Sequence, residues 1–276
     1  MDGSAFLVGV VEARWILETL EREVARMGEL SAIKSFEELT AEELVPWVMD
    51  GLRRTLVHYG CWFREVEYQL GMIKAMEVEA EAGDAAFSII LKRLSKVLGF
   101  EMDGDVPKAL KNLDKTKLLE LMDAVGTNWL ANDGVWFQAV EKRFGMDAAK
   151  RCNDTCWTRF SPYEALRIKK LLGLEPLPGL AGLKAALGYR LYARINRQTI
   201  EDVDDHSFIF RMVDCRVQAA RKRKGLPDYP CKSAGLVEYP YFAEAIDPRI
   251  RTECVGCPPD AHPDSWWCAW KFTLKA

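Results

Sequence analysis

Cys231, Cys254, Cys257 and Cys268 are the side chains of this chain best equipped for chemistry. Thiolates bind thiophilic metals and exchange electrons. A C-x-x-C turn brings two sulfurs to one point, and two distant cysteines can complete a tetrahedral set. Zn²⁺ suits four thiolates in a closed, structural geometry, and an iron–sulfur cluster accepts the same four ligands. The third alternative is no metal at all, with the cysteines packed as small hydrophobic side chains. Cys215 and His262 are reserve ligands, and Pro258-Pro259 would stiffen the turn after Cys257. A catalytic zinc keeps an open position, so four protein thiolates point to a staple or sensor rather than a reaction centre.

A second constellation lies upstream. Glu67 and Glu141 each follow a phenylalanine by four residues and so share its helical face. Two such carboxylates could serve as acid and base, although a solvated or salt-bridged face is the commoner fate of glutamate. His58, Asn132 and Asp133 could line a polar pocket beside them, and Asn132-Asp133-Gly134 also reads as a helix N-cap. Trp62 and Trp136 are candidate ligand-contacting aromatics, with core anchoring as the simpler reading. Arg216 and Gln218 could hold a carboxylate or another anion. Cys152 and Cys156 read as packing thiols.

These residues sit in a duplicated framework. Gly60-Cys61-Trp62-Phe63 matches Gly134-Val135-Trp136-Phe137, and Gly71-Met72 matches Gly145-Met146 at the same offset of 74 residues. Half of positions 60–75 are identical, far above chance, which marks a tandem repeat. Each copy is expected to form three helices, with glycines 71 and 145 closing the second and Ser161-Pro162 interrupting the last helix of copy two. Val10, Ala13, Leu17, Leu20 and Val24 share one face of a further helix, Phe6–Met27.

From about residue 188 the period becomes two. Tyr189–Asn196 and Phe208–Val213 read as a hairpin around Asp204-Asp205-His206. A basic helix over Cys215–Lys224, a short helix over Pro240–Ile246 and two strands bearing Cys254 and Cys268 follow. The fold class is α+β: a duplicated N-terminal helical region followed by a small ββααββ antiparallel-sheet module. The expected organisation is an N-terminal helix (1–39), helical repeats at 40–113 and 114–187, and the cysteine-bearing module at 188–276.

Composition narrows the class. The chain of 276 residues is 49% hydrophobic and 29% charged, with a net charge of −3, so it has ample core material and no global pull toward nucleic acid or anionic lipid. The basic run from Arg216 to Lys224 lacks interleaved aromatic residues, against a nucleic-acid surface. The first residues show neither a signal peptide nor a membrane span. The expectation is a cytoplasmic protein with free thiols, a small-molecule ligand, no nucleic-acid or membrane partner, and an open oligomeric state. P-loop, α/β-hydrolase and zincin motifs are absent.

The stretch Asn132-Asp133-Gly134-Val135-Trp136-Phe137, with Glu141, Gly145-Met146, Glu164-Ala165, Ile246-Asp247-Pro248-Arg249 and Glu253-Cys254-Val255-Gly256-Cys257-Pro258-Pro259, resembles an uncharacterised family of prokaryotic cytosolic proteins. That family is distantly similar to L-2-amino-thiazoline-4-carboxylic acid hydrolase-like proteins, which open a small sulfur heterocycle. The resemblance implies a hydrolase-like activity on a small amide or thiazoline-type molecule. The ββααββ order is also similar to ligand-binding modules related to vinyl reductase domains, which implies binding without catalysis. The two readings stand side by side: a hydrolase-like enzyme, or a non-enzymatic ligand-binding or redox- and metal-sensing module.

Overall fold

The computed structural model describes residues 34–275, and the expected helix Phe6–Met27 lies outside them. The chain divides into two compact units, one ending at Gln69 and the other starting at Leu70. In the first, Thr40 and Glu43 form a reciprocal capping box: Glu43 N–H donates to Thr40 Oγ1 (3.2 Å) and Thr40 N–H donates to Glu43 Oε2 (2.8 Å). This box starts α1 (Ala41–Leu70).

The second unit opens with α2 (Met72–Leu98) and a two-residue hairpin, β1 (Met102–Asp103) and β2 (Val106–Pro107). A single turn, α3 (Lys108–Lys111), leads to α4 (Lys115–Phe144), whose N-cap Asp114 accepts from Lys117 N–H at 2.8 Å. Then come α5 (Met146–Leu172), α6 (Gly179–Gly188) and α7 (Leu191–Ile195). The repeat is confirmed in geometry. Helices α1 and α4 both span 30 residues, α2 and α5 both span 27, and every boundary recurs at the sequence offset. The first two expected helices of each copy are one, because α1 and α4 run through Gly60 and Gly134; an interior glycine costs a helix only about 1 kcal/mol. The copies bend at Gly71 (φ 88°, ψ 161°) and Gly145 (φ 84°, ψ 170°), a region open in practice to glycine alone. Pro162 does not interrupt α5: Trp157, Ser161, Glu164 and Ala165 around it are all buried, and that packing outweighs one lost ladder bond.

The C-terminal module carries β3 (Arg197–Asp204), β4 (Ser207–Asp214), α8 (Arg216–Arg223), α9 (Lys232–Ile246), β5 (Ile250–Gly256) and β6 (Cys268–Leu274). The strands form one antiparallel sheet in the order β3-β4-β6-β5. The ββααββ order therefore holds, with two boundary corrections. Residues 191–195 are a helical turn, so the first strand begins at Arg197, and α9 starts eight residues before Pro240 and runs through it. One sheet face, with Phe208, Phe210, Met212, Trp270, Phe272 and Ile250, packs on Tyr239, Phe242 and Ile246 of α9, Leu183 and Leu187 of α6, and Ala165 and Ile168 of α5. Buried Asp247 pins α9 to α6 by accepting from Gly179 N–H (2.9 Å) and from Arg249 (2.7 Å), whose guanidinium holds the Asp247 carboxyl down at about 2. No described helix is long and apolar enough to cross a membrane.

Candidate functional site

The four cysteines converge by backbone placement. Cys254 sits opposite Trp270, and Gly256 sits opposite Ala269 after a bulge. Continuing that register sets Cys257 across from Cys268, and parity puts Cys254 and Cys268 on the same face as Trp270. Cys231 is the N-cap of α9, and the next residue ties it to the turn: Lys232 N–H donates to Pro258 O at 2.8 Å. Cys257 is buried among the core side chains, with Cys215, Cys231, Cys254 and Cys268 packed against the same core. Its thiol lies against those of Cys231 and Cys268, which push it far above the ordinary thiol range, while Cys257 holds Cys268 below that range. Among the described residues no three His, Cys, Asp or Glu are set as ligands about one point. The Cys231 and Cys268 thiols instead both meet that of Cys257. All eight cysteines are free, and Cys152 and Cys156 are exposed rather than packed.

A buried glutamine joins this cluster to a second polar centre. Gln218, 1% exposed, donates from Nε2 to Tyr229 O (2.8 Å) and Cys231 Sγ (3.0 Å), and its Oε1 accepts from Tyr229 N–H (2.8 Å). Gln218 thus clamps the loop before α9 from inside. The clamped Tyr229 ring meets Phe137 edge-on at 5.2 Å, and Lys150 Nζ lies 4.7 Å from its centroid and 3.3 Å from its hydroxyl. Lys150 also pairs with Asp154 at 3.1 Å. Asp133, one helical turn before Phe137, is half-buried; burial pushes its carboxyl up, and Lys150 opposes that shift. A carboxyl raised by burial near an ammonium is a candidate for proton transfer.

Beyond it lies a fully enclosed ion triad that the sequence reading missed. Arg190 donates from Nε to Glu164 (2.9 Å) and pairs through Nη1 with Glu238 (2.7 Å). Arg190 is 2% exposed and both glutamates 7%. Trp157, Tyr192, Tyr239 and Phe242 surround the guanidinium, the last at 4.7 Å. Glu164 also accepts from Leu191 N–H at 3.1 Å, which starts α7 and explains why this segment turns instead of extending.

Of the other expected site residues, His58, Trp62 and Glu67 lie on α1 in the first unit, and Asn132, Asp133, Trp136 and Glu141 lie on α4 in the second. His58 and Asn132 are exposed, Glu67 and Glu141 half-buried. Asn132-Asp133-Gly134 is mid-helix, not an N-cap, because α4 is unbroken there. Trp62 and Trp136 are 62% and 66% exposed, so neither anchors a core; the next residue, one helical step round, turns inward instead. Arg216 is exposed, with its N–H on Asn196 Oδ1 at 2.8 Å. A separate cleft of about 250 Å³ between α2 and α5 is lined by Ile73, Met76, Ala80, Leu166 and Tyr163 and rimmed by Arg167 and Lys170. Tyr163 donates to Glu79 at 2.9 Å within it.

A family model described as a family of unknown function (DUF6125) matches residues 37–115 and again residues 108–274. The two matches separate within residues 108–115, where the first copy gives way to the second. No curated protein and no solved structure matches the chain.

Proposed function

We propose, for a chain that belongs to DUF6125, a family of unknown function, that its C-terminal sheet module is a non-enzymatic, thiol-based responder to metal or oxidant. The supporting observation is the backbone convergence of Cys231, Cys254, Cys257 and Cys268. The donor chemistry suits Zn²⁺ or an iron–sulfur cluster, and the thiols would have to turn from one another toward a shared ion to hold either. Cys231, Cys254, Cys257 and Cys268 would hold such a metal, which would supply a cross-link within the module, and Gln218 holds Cys231 in place by its 3.0 Å bond. Metal analysis and an absorption spectrum of full-length protein purified without oxygen provide the test. About one zinc per chain, or visible iron–sulfur bands, lost on Cys254→Ala, supports the reading. Neither metal, with all thiols inert to mild oxidant, overturns it.

A second reading is a hydrolase-like enzyme for a small amide or thiazoline-type molecule, in line with the distant resemblance to aminothiazoline carboxylate hydrolases. Asp133 with Lys150 and Tyr229 favours it: a carboxyl raised by burial next to two proton-carrying groups. Ring-opening of 2-aminothiazoline-4-carboxylate is then expected to fall at least about 100-fold in Asp133→Asn. Absence of turnover in the unmodified protein, or full turnover in the variant, rejects this reading.

A further inference from the structure

We infer that Cys257 and Cys268 are the dithiol that peroxide closes into a disulfide, an inference that rests on the thiol-responder reading and narrows it to one pair. The sheet register carries it. The ladder ends at Gly256 opposite Ala269; one more step in that register would oppose Cys257 to Cys268, and their thiols do meet. Directly opposed residues on antiparallel strands have Cβ atoms about 4.5–5.5 Å apart, a small adjustment from disulfide spacing. The alternatives are less well placed. Cys254 faces Trp270 across the ladder and is offset from Cys257 by the bulge. Cys231 also lies against the Cys257 thiol, but it sits on a different element, and its sulfur is engaged by Gln218 Nε2. Cys257 is 1% exposed, whereas Cys268 is the less buried residue of the two.

The chemistry balances with hydrogen peroxide as the oxidant. The Cys268 sulfur attacks one peroxide oxygen; an S–O bond forms, the O–O bond breaks, and water leaves with the thiol proton. The Cys257 sulfur then attacks the Cys268 sulfur. An S–S bond forms, the S–O bond breaks, and hydroxide leaves as water with the Cys257 proton. Two thiols lose two electrons, and one peroxide becomes two waters.

The test uses full-length protein stripped of metal by chelator, treated with about one equivalent of peroxide, quenched, alkylated, digested and mapped by mass spectrometry. The expected result is a Cys257–Cys268 linked peptide, with the thiol count falling from eight to six. A disulfide through Cys231 or Cys254, with Cys257 and Cys268 both recovered alkylated, overturns the pair and leaves the responder reading standing. Eight unreacted thiols after excess peroxide overturn both. Preloading with zinc alone is expected to slow closure at least about tenfold; unchanged closure of the same pair supports the dithiol and removes the metal arm of the earlier reading.

Discussion

Arg190→Met is expected to cost this protein about 3–5 kcal/mol of stability at pH 7, because it leaves two carboxylates facing each other in a buried site. Methionine keeps the apolar stem of the side chain and loses the guanidinium inside the aromatic cage, so the loss combines packing with the charge effect. In the native triad, burial lowers the tendency of Arg190 to stay charged, but Glu164 and Glu238 outweigh that effect and hold it protonated. Burial raises the Glu238 carboxyl above 4.5 even with Arg190 present. Removing the guanidinium raises it further. A group with a raised folded-state value keeps its stabilising contribution below its unfolded value and loses it as pH rises through the folded one. The penalty in Arg190→Met is therefore expected to shrink as pH falls from 7 toward 5, by at least about 1.4 kcal/mol. Urea midpoints at the two pH values measure it. A pH-independent loss contradicts the charge argument. In the triple variant with methionine also at Glu164 and Glu238, stability is expected to return to near the native value.

Gly235→Ala is the second large effect. A Cβ at this position would lie 2.3 Å from Trp270 Cζ2 and 2.8 Å from Cη2, inside any possible contact. Trp270 is fully buried, stacked on Tyr239 at 4.7 Å, and central to the face that packs the sheet on α9. Neither the indole nor the helix can yield without opening that layer, so a loss of about 3 kcal/mol is expected, at the upper end for overpacking. Gly134→Ala is the matched control. Its Cβ meets nothing within 4 Å in the middle of α4, and a stabilisation of about 0.5–1 kcal/mol is expected from helix propensity alone. Equal midpoint shifts for the two variants in a denaturant titration would contradict the packing account.

The framework was legible where local pattern and tertiary demand agree. The 74-residue repeat reproduces helix ends residue for residue, and the alternation over Ile250–Cys254 and Cys268–Leu274 gives the strands that bring the cysteines together. Reading failed where burial overruled a local signal. Pro162 and Pro240 look like helix starts, yet both lie inside helices whose buried flanks hold them. Tyr189–Ile195 alternates like a strand, but Glu164 takes the Leu191 N–H and Arg190 must reach inward, so the chain coils. The triad itself was invisible because its members are 26 and 48 positions from Arg190 and belong to three elements. Gln218 was expected to donate to a bound anion; in the structure its amide is bonded to the protein's own Tyr229 and Cys231.

The sheet's outer strands bear on how this protein behaves when concentrated. Strand β3 exposes Arg197, Glu201, Asp202 and Asp204 on one flank, and β5 exposes Arg251 and Glu253 on the other. A neighbouring strand approaching either flank must desolvate these charges before it gains any backbone hydrogen bond. Register shifts at both ends of β3 further spoil a flat docking line. The sheet is thereby kept to four strands, and colloidal self-association through strand addition is disfavoured at both of its margins.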